Sequence, residues 1–297
     1  MLAQFRRLQP SRHRCYNALM PHPPTTLFPA LENLLSRRSP HMAKAISRVV
    51  NDVRPCVQLE TTRVTSIPQR GRWLDRLMRK APPQPKLSVV TSKFGGLPYA
   101  ESADDLEGSM FLGQINFAEA CAALSLEGFP IPDGMPRSGL LAFDAPAGEA
   151  GRTRWYPEPS ELKATRPSGY GQVAKYEASI HFRGSWSLRG LDWFDAVPKD
   201  DHELWDYLND LEIEGIDPET PGHKLFGHAN EALNEHYGLR PAPGRSNDIR
   251  DYALIWRIDY DNQAGFGWGT NWLYVVIHKD DIARGAFENA IVTGANA

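Results

Sequence analysis

The sequence predicts an α+β protein, β-rich and built from two related halves with a few short helices, and three observations carry that expectation. Strong β-formers recur in short runs bounded by turn residues, most clearly YALIWRIDY at 252–260 and WLYVVI at 272–277. Helical periodicity is confined to short stretches such as 117–126 and 201–213. Two stretches also repeat one order of elements: a glycine turn, an apolar strand ending in Asn or Asp, and a second apolar strand. The first runs through Phe94-Gly95-Gly96, residues 112–116 and residues 140–143; the second runs through Phe226-Gly227-His228, residues 255–259 and residues 273–276.

Residues 1–41 carry Pro10, Pro21, Pro23, Pro24, Pro29 and Pro40 among basic residues. Proline fixes φ and removes an amide donor, so this stretch is expected to be a disordered basic leader, or sequence upstream of a start at Met42. Residues 42–297 are then a single domain with halves at 42–200 and 201–297. Within it a short helix is expected over 42–52, a strand over 55–65, and a surface helix over 72–80 stopped by Pro82, Pro83 and Pro85. The middle reads as strand, glycine turn, strand, helix, loop, strand. Its helix, 117–126, puts Phe117, Cys121 and Leu124 on one face and places Gly128 as its C-cap. Residues 145–153 form a small-residue loop, and 176–182 is the clearest strand of the stretch that follows. The 201–213 helix aligns Leu204, Tyr207, Leu208 and Leu211, with Asp200, Asp201 and Glu203 at its N-terminus. The strands 252–260 and 272–277 make a hairpin around Gly265, Gly267 and Gly269, followed by a closing helix over 280–287 and a last strand at 290–292.

Composition excludes several classes of function. No stretch approaches the roughly 20 consecutive apolar residues of a membrane-spanning helix. The cysteines are Cys15, Cys56 and Cys121, an odd number without C-x-x-C spacing, which indicates neither a disulfide framework nor a zinc site and fits a reducing cytoplasm. Charge is unevenly placed: residues 1–80 hold 15 Lys+Arg against 4 Asp+Glu, and residues 81–297 hold 18 against 32. A basic arm lying on an acidic body follows. Nucleic acid is not expected as a partner, because the arginines are scattered and no base-stacking module is visible.

Catalytic motifs are missing as well. His223 and His228 are five apart, the wrong spacing for a zincin pair, and His202-Glu203 lacks the second histidine of H-E-x-x-H. No metal or cofactor is implied, and no G-x-S-x-G elbow is present. The polar residues that invite a function are Gln114, Asn116 and Asp259 at the ends of apolar strands, His228 beside Gly227, and Trp268 in the glycine-rich turn. Strand-end polar groups either satisfy buried turn backbone or face a cleft, and buried ones must be bonded to something. If they converge between the two halves they make a ligand site; Asp259 and Asp280 beside His228 would allow acid–base hydrolysis.

Five motifs in order complete the picture: Ser92-Lys93-Phe94-Gly95-Gly96-Leu97-Pro98, Leu112-Gly113-Gln114-Ile115-Asn116, Gly139-Leu140-Leu141-Ala142-Phe143, His223-Lys224-Leu225-Phe226-Gly227-His228, and Trp268-Gly269 through Leu273-Tyr274. Their succession resembles the YwqG-like family over roughly residues 53–293. That resemblance implies a bacterial α+β protein with an internal duplication and no agreed activity, some members of which lie near toxin–immunity gene clusters. The expectation is a non-enzymatic protein-binding module of the immunity type; the alternative is a small-molecule sensor or hydrolytic enzyme with its cleft between the halves.

Overall fold

A computed structural model describes residues 54–66, 86–145, 151–165, 171–187, 222–228, 245, 248, 251–267 and 271–296. The strands are β1 (Arg54–Ser66), β2 (Lys93–Phe94), β3 (Met110–Asn116), β4 (Leu140–Asp144), β5 (Arg152–Tyr156), β6 (Gly171–Gln172), β7 (Tyr176–Ser187), β8 (Lys224–Phe226), β9 (Tyr252–Ile258), β10 (Asn271–His278) and β11 (Ile291–Asn296). Two α-helices accompany them among the described residues, α1 (Phe117–Glu127) and α2 (Lys279–Arg284).

All eleven strands join one sheet in the order β11-β10-β9-β8-β1-β7-β2-β3-β4-β5, with β6 beside β3. The long strands β1 and β7 lie antiparallel at its centre, in register from Arg54 opposite Ser187 to Ser66 opposite Tyr176. The sheet curls until its two edges approach. Thr153 Oγ1 on β5 donates to the Ala290 carbonyl beside β11 at 3.0 Å, and a Cβ on Gly151 would sit 2.9 Å from a Val292 methyl. The architecture is therefore mostly β and nearly barrel-shaped.

Alternation decides which side chains fill the inside. On β1, Val57 and Leu59 point into the main core while Gln58 and Glu60 point away. Helix α1 buries Phe117, Ala120, Cys121 and Leu124 in that same core. Its start and stop are set locally. Asn116 ends β3 and accepts from the Ala118 amide as N-cap, and Gly128 takes the left-handed conformation (φ 65°) that closes the last turn. A smaller apolar cluster of Tyr99, Phe111, Leu140, Ala142 and Tyr156 lies on the outer face beneath Val89, Val90 and Ala164.

The strand expected at 55–65, the helix at 117–126, the strand at 140–143 and the hairpin of 252–260 with 272–277 all form, within a residue or two of their ends. Four expectations need correction. The α+β label gives way to mostly β, because α-helix among the described residues is confined to α1 and α2. The closing helix over 280–287 stops at Arg284, where Gly285 (φ 70°) caps it, and a 3-10 turn at Phe287–Asn289 follows. The loop over 145–153 ends sooner, since Arg152 and Thr153 already pair with β4. The strand at 176–182 runs on to Ser187, held by its partner β1. The leader and the helices expected over 42–52, 72–80 and 201–213 lie outside the described residues.

Two glycines with positive φ separate backbone strain from steric exclusion. At Gly139 (φ 100°) a Cβ would overlap the indole of Trp155, whereas at Gly108 (φ 66°) it would meet nothing within 4 Å. Gly139→Ala is expected to destabilise by roughly 2–4 kcal/mol, through left-handed strain and overpacking together. Gly108→Ala is expected to cost about 1–2 kcal/mol from strain alone. Urea unfolding of both variants checks the difference; equal losses would mean that the Trp155 contact is not rigid.

Candidate functional site

Gln114 sits in β3 opposite Lys93 of β2 and is fully buried. Its side-chain carbonyl accepts from the Tyr99 amide at 2.9 Å. Its Nε2 donates to the carbonyls of Val89 at 2.7 Å and Thr91 at 2.8 Å. Asn116, two residues on, donates from Nδ2 to the Val90 carbonyl at 2.9 Å. It accepts from Ala118 at 3.0 Å, and its own amide donates to Ser92 Oγ at 2.8 Å. Both amides therefore hold the irregular segment 89–92 against the sheet, where main-chain groups without strand partners need bonds.

Asp259, just beyond β9, does equivalent work in the other part of the sheet. One carboxylate oxygen accepts from the Gly222 amide at 3.2 Å and the other from Tyr260 at 2.7 Å. The Asp259 amide donates to His223 Nδ1 at 3.0 Å. With Nδ1 an acceptor, the His223 proton resides on Nε2, which faces Asp261 Oδ2 at 3.1 Å. Asp261 is fully buried, and its other oxygen accepts from Gln263 at 2.6 Å and Ala264 at 3.0 Å. Burial pushes the Asp261 carboxyl up, but the hydrogen bonds from His223 and the Ala264 amide hold it below the ordinary carboxylate value. Asp261 lay outside the residues singled out in the sequence. Its signal was the Asp-Asn-Gln-Ala-Gly stretch at 261–265, whose first side chain caps the turn that follows.

His228 is buried at the end of β7, where its amide donates to Ser187 Oγ at 3.0 Å. Trp268 lies outside the described residues. Gln114 and Asn116 thus meet on one segment, Asp259 on another, and His228 at a third place. Among the described residues no group of three or more His, Cys, Asp and Glu side chains is arranged to hold a metal ion.

Lys93 is the least expected member of this frame. It is fully buried, and Nζ donates to the Ser88 carbonyl at 2.5 Å. Burial lowers its pKa to about 8, against the opposing pull of Glu177, Glu161 and Glu119. These carboxylates are themselves tied to nearby chain. Glu177 accepts from the amides of Lys86 at 2.8 Å and Leu87 at 3.3 Å. Glu119 accepts from Thr91 Oγ1 at 2.5 Å and the Ser92 amide at 2.8 Å. Gly96 leaves the space that the Glu177 carboxyl fills, since a Cβ there would collide with it. The sequence offered Lys93 only as part of a glycine-turn motif, because its acidic neighbours come from residues 119, 161 and 177.

Two measurements test this frame. Gln114→Met leaves one buried amide and two carbonyls without partners, each costing about 1–3 kcal/mol, so a loss of at least about 3 kcal/mol in unfolding free energy is expected. A loss under about 1 kcal/mol would show that those groups find water. Lys93 makes the pH dependence distinctive. Its folded pKa lies below the unfolded value near 10.5, so the folded state binds fewer protons between pH 8 and 10.5 and stability rises over that window. Relative to Lys93→Met, the wild type is expected to gain roughly 3 kcal/mol there. Taking the difference between the two proteins removes the opposite trend of tyrosines such as Tyr274, which burial pushes up to about 12. A flat difference profile would contradict the buried position of Lys93.

A comparison with curated proteins finds no match. A family model does match, across residues 92–294, from the residue before β2 into β11, leaving the central strand β1 upstream. By that match over more than half its length, the chain belongs to the family described as domain of unknown function DUF1963.

Proposed function

We propose that this protein is a non-catalytic binding module of the YwqG-like type, bacterial and cytoplasmic, which acts by engaging a protein partner as immunity proteins do. One observation carries the reading. The polar side chains at the strand ends, Gln114, Asn116 and Asp259, direct their hydrogen bonds to main chain at separate places. The excess of acidic residues over 81–297 suits a basic partner, for which charge complementarity speeds encounter.

The reading includes an internal duplication within one domain spanning 42–297. Strands β2-β3-β4-β5 and β8-β9-β10-β11 run outward in the same succession on the two sides of the β7–β1 pair. Lys93-Phe94-Gly95-Gly96 corresponds to Lys224-Leu225-Phe226-Gly227, with consecutive left-handed residues at Gly95 and Gly96 and at Phe226 and Gly227. Asn116 and Asp259 each donate the main-chain amide to the side chain that precedes the lysine, Ser92 or His223. This correspondence matches Phe94 with Leu225, one residue away from the Phe94–Phe226 pairing that the sequence suggests. A backbone superposition of β2–β5 on β8–β11 with no common path would remove the duplication from the proposal.

The functional test has two arms on the full chain. Tagged protein is incubated with native bacterial lysate across a salt series, and a reproducible basic protein partner released by salt is expected. In parallel the protein is assayed against ester, amide and phosphate-ester substrates. Turnover abolished by Asp259→Asn or His228→Ala, with the fold intact, would overturn the binding-module reading in favour of a hydrolase.

A further inference from the structure

The turn at 261–266, beyond β9, is built more firmly than a hairpin connection requires. The buried His223–Asp261 pair anchors its start. The Asp261 carbonyl accepts from Gly265 at 2.9 Å and Phe266 at 3.0 Å, and the Tyr176 amide donates to the Ala264 carbonyl at 3.0 Å. Phe266 packs edge-on against Phe94, with centroids 5.1 Å apart. What this frame presents to solvent is a cleft of about 410 Å³ lined by Arg63, Lys175, Tyr176, Tyr260, Asn262 and the glycines at 265 and 267, among others.

Contacts hold Arg63, Tyr176 and Tyr260 in place. The Arg63 guanidinium lies 3.6 Å from the centroid of the Tyr176 ring. It donates from Nε to the Gln263 carbonyl at 3.2 Å and from Nη2 to the Asn262 carbonyl at 2.5 Å. An arginine has five N–H donors, so donors remain for a ligand beyond these two. Gly265 allows the Tyr176 ring to press on the main chain, since a Cβ there would stand 2.6 Å from ring carbons. Gly267 gives Tyr260 the same backing, again at 2.6 Å. The Tyr260 hydroxyl bonds Asn262 Oδ1, yet the residue is 44 % exposed, so a held ring keeps surface open to solvent. Lys175 is exposed at the rim.

We infer that this cleft is a binding site for a small aromatic anion, a flat ring carrying a phosphate or carboxylate, stacked on Tyr260 with its charge on Arg63 and Lys175. The chemistry follows from the three groups. A tyrosine face takes a planar ring with little entropy cost, and a guanidinium held in position pairs with an oxyanion through its remaining donors. Lysine adds a point charge that either anion satisfies. A volume of about 410 Å³ falls within the range of small-ligand pockets. The firm loop supplies preorganisation, so that little freedom is lost on binding.

The test uses the full chain and calorimetric titration with two probes, adenosine 5′-monophosphate for the phosphate class and indole-3-acetate for the carboxylate class. At least one is expected to bind with a dissociation constant below about 1 mM, and which one binds identifies the anion. Adenosine or indole, lacking the charge, should bind at least tenfold more weakly. Tyr260→Ala and Lys175→Ala, both at exposed positions, should each weaken binding about tenfold, as expected for loss of a stacked ring or an ion pair. Arg63→Gln should weaken it further, with its melting temperature recorded to separate loss of binding from loss of fold. Absence of binding by both probes, or affinities unchanged in Tyr260→Ala and Lys175→Ala, would overturn the inference.

Discussion

The sheet is continuous only because a strand of two residues, Lys93–Phe94, joins β7 on one side to β3 on the other. So short a strand contributes few ladder bonds, and its position depends on what its side chains do. Phe94 turns inward and lies against His223, Trp256 and Phe266, with ring centroids 4.9, 5.4 and 5.1 Å away. Gly113, its neighbour on β3, makes the space, because a Cβ there would stand 2.6 Å from the Phe94 ring. One aromatic side chain thereby ties β2 and β3 to residues of β9 and of the loop that follows it.

Around that contact the buried polar groups are arranged to leave little main chain unpaired. Gln114 and Asn116 hold the approach to β2, and Glu177 and Glu119 hold it from the other side while facing the Lys93 ammonium. In the second part of the sheet Asp259, His223 and Asp261 perform the same service for residues 222–223 and for the 261–266 turn. Such networks are costly when one member is lost, since the remaining groups stay buried without partners. Tyr260 and Lys175, by contrast, are exposed to solvent.

What could be read from the sequence follows the range of each signal. Local signals were legible: the β-former runs that became β1, β9 and β10, the apolar face and C-cap of α1, and the glycine turn after Phe94. Gln114, Asn116 and Asp259 were also legible as strand-end polar groups that must bond to something, with turn backbone as one of the two outcomes weighed. Long-range pairing was not legible. Nothing in residues 92–96 announces that Lys93 meets carboxylates from 119, 161 and 177, and the His223–Asp261 pair joins residues 38 apart. Strand β2 is too short for periodicity to detect, and its status comes from partners far along the chain.

Hydrogen exchange on Phe94→Leu, read by mass spectrometry, tests whether this contact couples the two parts of the sheet. If Phe94 is the tie, amides of β3 and of β9 lose protection together and by similar factors, although β9 is not paired with β2. Loss confined to β2 and β3, with β9 as protected as in the wild type, would mean that the Phe94 contact does not couple the two parts.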